Sequence, residues 1–346
     1  MATIREISKK ANVSIATVSK VLNGKKGVSQ ATIDNVLSIA KELDYRPNLT
    51  ARTLKKGQSR TLGVITEDLT VFNTPDIVDG IDAYCESHGY HYILGNLRFY
   101  KRYGNRPKDT DECAELALSL VDTMLSKQVD GIIYIGCHSH PVVPLSTISS
   151  TSFVCAYCYS TDPGISSVMY DDQKASFEAT QLLIRKGYKK IGVIAGEPDS
   201  MHTANRLLGY QEALFTGNIP YNPHLTVYGN WERDQGYTLA KRLIDTGVTA
   251  IFAQNDLMAM GVIDYCSEHG IQVGKELGLI GFDNREISTV SRPALSTVSL
   301  PLFEIGQNAT HLMLDILEGK HVTYGQKLML ACTVIEREST CGANLI

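Results

Sequence analysis

The chain has 346 residues, of which 43% are hydrophobic and 20% charged: too many for one small core, and apolar enough for a small module plus one or two larger lobes. No run of about twenty apolar residues is present, which argues against a membrane span, and the opening Met1-Ala2-Thr3-Ile4-Arg5-Glu6 lacks the apolar stretch of a secretory signal, so a cytoplasmic protein is expected. The net charge of −4 conceals an imbalance: residues 1–60 hold twelve Lys or Arg against four Asp or Glu, a net +8, which leaves −12 for the remainder.

A basic head on an acidic body is the footprint of a nucleic-acid binder, since neutralising phosphates releases their counterions. Within the head, Thr3 and Glu6 have the spacing of a capping box, in which hydroxyl and carboxylate satisfy backbone N–H groups at a helix start. A first helix is predicted to about Lys10, with Ile4, Ile7 and Ala11 on one face. Asn12-Val13-Ser14 then makes a tight turn, and Ser14 caps a second helix to about Leu22, stopped by Asn23-Gly24. Val18, Val21 and Leu22 point inward at helical spacing. Ser29 opens a third helix, with Ile33, Val36, Leu37, Ala40 and Leu43 as its buried stripe. Two short helices joined by a three-residue turn and braced by a third make a helix-turn-helix unit. The second helix of such a unit enters the major groove with its N-terminal side chains against the bases. Here Ile15 and Ala16 suit thymine methyls, and Lys20 suits a guanine acceptor edge.

The run from Thr3-Ile4 through Ile7-Ser8, Ala11-Asn12-Val13-Ser14, Ala16-Thr17-Val18-Ser19 and Val21-Leu22-Asn23-Gly24 closely resembles the head of the lactose- and galactose-repressor family of bacterial transcription regulators. Tyr45-Arg46-Pro47-Asn48, followed by Ala51-Arg52 and Leu54-Lys55, matches that family's hinge. One departure is Lys20, where many members carry arginine. The resemblance implies DNA contacts from Thr3, Ser14, Ile15, Ala16, Thr17, Ser19, Lys20, Asn23, Arg52, Leu54 and Lys55. It also implies that the hinge folds on DNA when two subunits pair it in the minor groove, with Leu54 as the wedge that unstacks a base step and bends the duplex. Residues 48–56 could form only about two helical turns, too few to be stable alone in water. One reading helix specifies few base pairs, so a homodimer on a pseudo-palindromic operator in double-stranded DNA is expected. The residues before Ile346 carry no leucine heptads, so the tetramer-forming tail of some relatives is not expected.

Beyond Gly57-Gln58-Ser59 the period changes. Strands are predicted at Leu62–Thr66, Tyr90–Leu94, Gly131–Ile135, Phe153–Tyr159, Ile191–Ala195, Ala250–Ala253 and Leu277–Gly281. Helices are predicted at Asp76–Ser87, Thr110–Ser126, Lys174–Lys186, Arg206–Thr216, Glu232–Thr246 and Asp256–His269. Apolar strands alternating with helices imply parallel sheets, here in two sets, with a ligand outside the carboxyl ends of the strands. The expected organisation is an all-α helix-turn-helix head at residues 1–46, a hinge at 47–60, and an α/β two-lobed ligand-binding and dimerisation domain at 61–340. This body is similar to the periplasmic sugar-binding proteins that the family's sensor resembles.

In the body, Arg206-Leu207 with Gly209-Tyr210 and Gly281-Phe282-Asp283-Asn284 match the family's pattern, and Arg206, Asp283 and Trp231 fall on its ligand-binding positions. An arginine fork donates, a carboxylate accepts, and an indole covers the C–H face of a sugar or a planar base. Phe72 and Asn73, in the loop after the first strand, should cover the other side. Ser200 and His202, in the loop before Arg206, bear on which ligand binds. Asn255 reads equally as a ligand group and as the N-cap of the next helix. The basic-aromatic segment 98–109, which follows a strand's end, reads first as a flap over the cleft, with a partner surface or a second nucleic-acid contact as the alternatives.

The implied effector is a small molecule, most commonly a sugar in this family; a nucleobase or a phosphorylated carrier protein is the alternative. No cofactor is implied. Phosphate loops, dinucleotide fingerprints and H-E-x-x-H metal motifs are missing from the sequence, so enzymatic activity is not expected. Cys155-Ala-Tyr-Cys158 has redox or zinc spacing but no second pair, and no metal site is expected.

Overall fold

The computed structural model describes residues 2–22, 24–45, 58–104, 111–142, 151–320 and 325–341. The chain divides into two compact units, Met1–Ser59 and Arg60–Ile346. In the first, α1 (Ile4–Ala11), α2 (Ile15–Leu22) and α3 (Gln30–Glu42) enclose a core of Ile7, Ala11, Val18, Val21, Val36, Ile39 and Ala40. The Thr3–Glu6 capping box forms, with Thr3 N–H donating to Glu6 Oε2 at 2.7 Å and Glu6 N–H to Thr3 Oγ1 at 3.3 Å. Asn12 closes α1 in a left-handed conformation, φ 53°, which asparagine tolerates. Ser14 Oγ then accepts Thr17 N–H at 3.0 Å and starts α2. The α3 stripe departs from expectation at one position: Leu37 is 47% exposed, and Ile39 is buried instead. Each helical residue turns the face by about 100°, so Leu37 sits a quarter-turn off the line through Val36, Ala40 and Leu43, while Ile39 stays nearer to it.

The second unit contains fourteen described strands: β1 (Thr61–Thr66), β2 (His91–Asn96), β3 (Gly131–Ile135), β4 (Pro141–Val142), β5 (Ser152–Ala156), β6 (Tyr159–Ser160), β7 (Ser166–Tyr170), β8 (Ile191–Ala195), β9 (Thr226–Tyr228), β10 (Ala250–Ala253), β11 (Gly278–Ile280), β12 (Thr297–Ser299), β13 (Lys327–Leu330) and β14 (Thr333–Ile335). A first lobe is built on a parallel sheet in the order β13-β7-β5-β3-β1-β2, a second on a parallel sheet in the order β11-β10-β8-β9. The central strands are apolar on both faces, as in Ile132, Ile133 and Ile135 of β3 or Ile251 and Phe252 of β10, because helices cover both sides of each sheet.

Three passages carry the chain between lobes: Tyr170 to Asp172, Ser299 to Leu302, and Leu330 to Thr333. The antiparallel pair β12–β14 lies alongside β11 through bridges Ile280–Ser296 and Asp283–Ser299. The helix Leu302–Leu317 returns to the first lobe and packs on the helix Thr74–His88 and on β3, β5 and β7. Loops at the carboxyl ends of both sheets meet in one cleft. There Ser139 N–H (after β3) donates to His202 Nε2 at 3.0 Å, Tyr159 OH lies 3.0 Å from Met201 Sδ, and the Arg285 guanidinium lies 5.0 Å from the Phe72 ring centroid.

Two local expectations are corrected. The apolar run at Phe153–Tyr159 is not one strand: β5 ends at Ala156, Tyr157 turns left-handed at φ 63°, and β6 begins at Tyr159. The turn is itself buried, so hydropathy does not mark it. The helix containing Arg206 begins at Met201, with Ser200 at its N-cap position, so His202 lies in its first turn and not in a loop. Among the described residues no helix is long and apolar enough to cross a membrane.

Candidate functional site

The cleft floor is organised around Arg206, which is 3% exposed. Its Nε donates to Asp172 Oδ1 at 2.7 Å, one terminal nitrogen donates to Tyr170 Oη at 2.9 Å, and the other to the Gln254 carbonyl. The guanidinium lies 3.7 Å from the Phe282 ring centroid and 5.7 Å from that of Trp231, and its Nη2 is 3.8 Å from Asp283 Oδ1. Asp172, the first residue of the helix Asp172–Arg185, also takes His202: Nδ1 lies 2.7 Å from Oδ2, with Tyr170 Oη 3.1 Å from the same nitrogen. One helical turn separates His202 from Arg206, so both project from the same face.

Charge is divided unevenly across this floor. Burial opposes the Asp172 carboxylate, but His202 and Arg206 outweigh it and hold the carboxyl below its usual range. Burial also works against the Arg206 cation, and Tyr170, Asp172 and Asp283 more than offset it. Asp283 behaves oppositely: burial pushes it up to about 8, with Arg206 pulling only partly the other way. Its neighbour Asp256 is pushed by burial to about 7. Asp256 Oδ1 accepts the Thr297 hydroxyl at 2.6 Å and Oδ2 the Arg285 N–H at 2.7 Å. It thereby pins a turn in which Asp283 and Asn284 have positive φ, 105° and 51°. Trp231 (φ 71°) and Tyr157 (φ 63°) share this left-handed backbone. Such conformations cost of order 1–3 kcal/mol and persist where the surroundings enforce them, often at functional sites.

The remaining cleft residues divide between wall and scaffold. Trp231 lies flat against Gly196, where a Cβ would stand 1.9 Å from the indole. Asn255 holds that loop: its Nδ2 donates to the Trp231 carbonyl at 2.8 Å, and its Oδ1 accepts Met258 N–H at 2.8 Å as a helix N-cap. On the first lobe, buried Asn73 donates from Nδ2 to the Gly136 carbonyl at 3.1 Å, and among the described residues its Oδ1 has no hydrogen-bond partner. Cys155 and Cys158 are both buried. Burial, together with Cys155 beside it, drives the Cys158 thiol well up. Among the described residues no three His, Cys, Asp or Glu side chains are arranged to hold a metal.

In the head, Ile15 (48% exposed), Ala16 and Lys20 are exposed and Ser19 half-buried, while Val18 and Val21 of the same helix are buried. Thr3 and Ser14 are exposed caps, and Thr17 is half-buried. Asn23, Arg52, Leu54 and Lys55 lie outside the described residues, as do 105–109 of the expected flap; Phe99–Tyr103, near its start, is a short helix.

Known proteins share both units. Residues 3–48 match the model for bacterial regulatory proteins of the lacI family, and residues 158–340 match the periplasmic binding protein-like domain. The chain is 32% identical over 342 residues to the HTH-type transcriptional repressor CytR of Escherichia coli (strain K12), covering 98% of this chain and 96% of that protein. The chain belongs to the lacI family of bacterial regulatory proteins. Membership makes it a DNA-binding transcription regulator with a ligand-binding body, and not an enzyme. Among solved structures, this lacI-family fold is shared with the Lac repressor dimer bound to operator and the anti-inducer ONPF (TM-score 0.78, 24% identical, covering 98% of this chain and 99% of that one). It is shared too with the transcriptional regulator CelR in complex with cellobiose (TM-score 0.66, 26% identical, covering 98% and 100%).

Sequence reasoning brought Arg206, Asp283, Trp231 and His202 to one place but missed Asp172, Tyr170, Gln254 and Asp256. Asp172 follows an apolar strand directly and reads as half of an Asp171-Asp172 helix cap; Asp171 is the residue that caps, through Lys174 N–H at 2.9 Å. Only its partners, far away in the sequence, give Asp172 a further role.

Proposed function

We propose that this lacI-family chain is a homodimeric, cytoplasmic repressor whose hold on a pseudo-palindromic operator is set by a sugar-class effector bound between its two lobes. The observation that carries this is the Arg206–Asp283 pair beside the Trp231 ring, at the carboxyl ends of the second lobe's strands. Arg206 spends three of its five N–H groups on Asp172, Tyr170 and Gln254, which leaves one on each terminal nitrogen for a hydroxyl. Asp283 adds a polar edge next to them, a match for neighbouring hydroxyls on a ring, and Trp231 offers an apolar wall for its C–H face. Across the cleft, the Asn73 Oδ1 acceptor gains a donor that it lacks among the described residues. The CelR complex with cellobiose is a precedent for this class of ligand in a similar body.

The other cleft residues support this floor. His202 and Asn255 orient Asp172 and Trp231, Phe72 closes the first-lobe side, and Ser200 opens the helix that presents Arg206. In the head, Ile15, Ala16 and Lys20 read base edges, while Thr3, Ser14, Thr17, Ser19 and Asn23 set the register on the backbone. Arg52, Leu54 and Lys55 act at the hinge. Because effector contacts come from both lobes, occupancy favours one lobe angle over another and thereby alters the paired heads' affinity for DNA. The test is calorimetry and thermal shift on the full chain with sugars and nucleosides. A sugar at a hundred times its Kd adds about 2.7 kcal/mol of stability; protection by nucleosides or bases with none by any sugar overturns the proposal.

A further inference from the structure

Among the described residues, three guanidiniums stand around the second-lobe side of the cleft, and two are committed. Arg206 is bonded as described, and Arg337 donates to Ser288 Oγ at 3.1 Å, the Leu295 carbonyl at 2.6 Å and Asn284 Oδ1 at 2.8 Å. Arg285 differs. Its backbone N–H is taken by Asp256, but among the described residues its side chain makes no hydrogen bond or ion pair. The guanidinium lies over the Phe72 ring of the opposite lobe, 5.0 Å from the centroid, and the residue is half-buried.

Asp256 and Asp283 both feel this charge, which pulls each carboxyl down, but among the described residues neither is hydrogen-bonded or ion-paired to the Arg285 side chain. Asp256 has both oxygens occupied, by Thr297 and by the Arg285 backbone, and Asp283 Oδ1 faces Arg206. Burial pushes both carboxyls up, which weakens their negative charge. Attraction to an aromatic ring uses none of a guanidinium's N–H groups as hydrogen-bond donors, which leaves them to pair side by side with an oxyanion.

We infer that Arg285 and Phe72 form an anion-binding subsite at the lip of the cleft, and that the effector is an anionic sugar derivative, a phosphate ester or a uronate. This rests on the sugar-effector reading and specifies it. The ring lies over Arg206, Asp283 and Trp231, and its oxyanion reaches Arg285. Since Phe72 belongs to the first lobe and Arg285 to the second, the anion is gripped only when the lobes are together. The ligand's charge is thereby tied to closure.

The experiment is titration calorimetry of the full chain, wild type and Arg285→Gln, with ribose, glucose, ribose 5-phosphate, glucose 6-phosphate and glucuronate. The expected result is that a phosphate or the uronate binds wild type at least about tenfold more tightly than its parent sugar, the size of one charge-assisted pair. In Arg285→Gln the ratio of the two affinities falls towards one. Glucuronate against the phosphates tells which oxyanion is preferred. Parent sugars binding as tightly as their anionic derivatives, or a preference that survives in Arg285→Gln, overturns this inference and leaves the sugar reading standing. No binding by any of the five overturns both. Arg285→Lys, which keeps the charge and loses the fork, should retain part of the preference; full loss in both variants together with a lowered melting temperature would assign Arg285 a structural role instead.

Discussion

Asp172 and Arg206 meet at 2.7 Å with side chains 5% and 3% exposed, where the chain first crosses between lobes. Taking one member from a buried, hydrogen-bonded pair strands the other charge away from water, at a cost of about 3–5 kcal/mol. Asp172→Asn therefore lowers the urea midpoint of the body sharply. Trp231, the only tryptophan, supplies the fluorescence signal; an unchanged midpoint would show that the pair does not hold the floor together.

The raised carboxyls set a direction for pH. Burial pushes Asp283 up to about 8 and Asp256 to about 7, against an ordinary 3.8, so the folded chain binds these protons more tightly than the unfolded one. Their contribution is complete below about 4 and is lost as pH rises through 7 to 8. Asp172, shifted downwards, has the opposite sign and weakens the fold only in acid. A thermal midpoint that falls from pH 5 to 8.5, with a shallower fall in Asp283→Asn, is expected; a midpoint that rises over this range contradicts the assignment.

Gly196 is the seat of Trp231. A methyl group there meets the indole at 1.9 Å, well inside contact distance, so Gly196→Ala must displace the ring. The variant should show shifted tryptophan emission and at least a tenfold loss of effector affinity in the same titration. Native emission with native affinity would mean that the indole does not line the site.

How much of this was legible depended on sequence distance. The head's helices were readable because their signals are local: the Thr3–Glu6 capping box, Ser14 before the second helix and Ser29 before the third. Arg206 and Asp283 were found because each sits in a short recognisable run, and Trp231, the only tryptophan, because it falls on the family's stacking position. The partners that give Arg206 its geometry were not readable, since Asp172, Tyr170 and Gln254 lie 34, 36 and 48 residues from it and carry no periodic mark. Tyr157 was misread within a strand because an apolar run and a buried turn have the same hydropathy. Leu37 was misplaced because one helical step separates the edge of a stripe from solvent.

In the head, two substitutions separate folding from reading. Ser14→Ala removes the α2 cap and should cost about 1 kcal/mol of head stability, visible as a lower melting point of the isolated helical signal. Lys20→Ala leaves the core untouched and should lower specific operator affinity by about 1–3 kcal/mol while relaxing preference at one base pair. A uniform loss across all duplexes would reassign Lys20 to a phosphate.

The most direct measurement is a titration of a two-fold-symmetric operator and a scrambled duplex of equal length, at fixed salt, with and without a saturating effector. The account predicts that the full chain prefers the symmetric site by at least about a thousandfold and that effector changes this affinity while leaving the scrambled duplex unaffected. Equal, purely salt-governed binding to both duplexes, unmoved by any ligand that occupies the cleft, would contradict it.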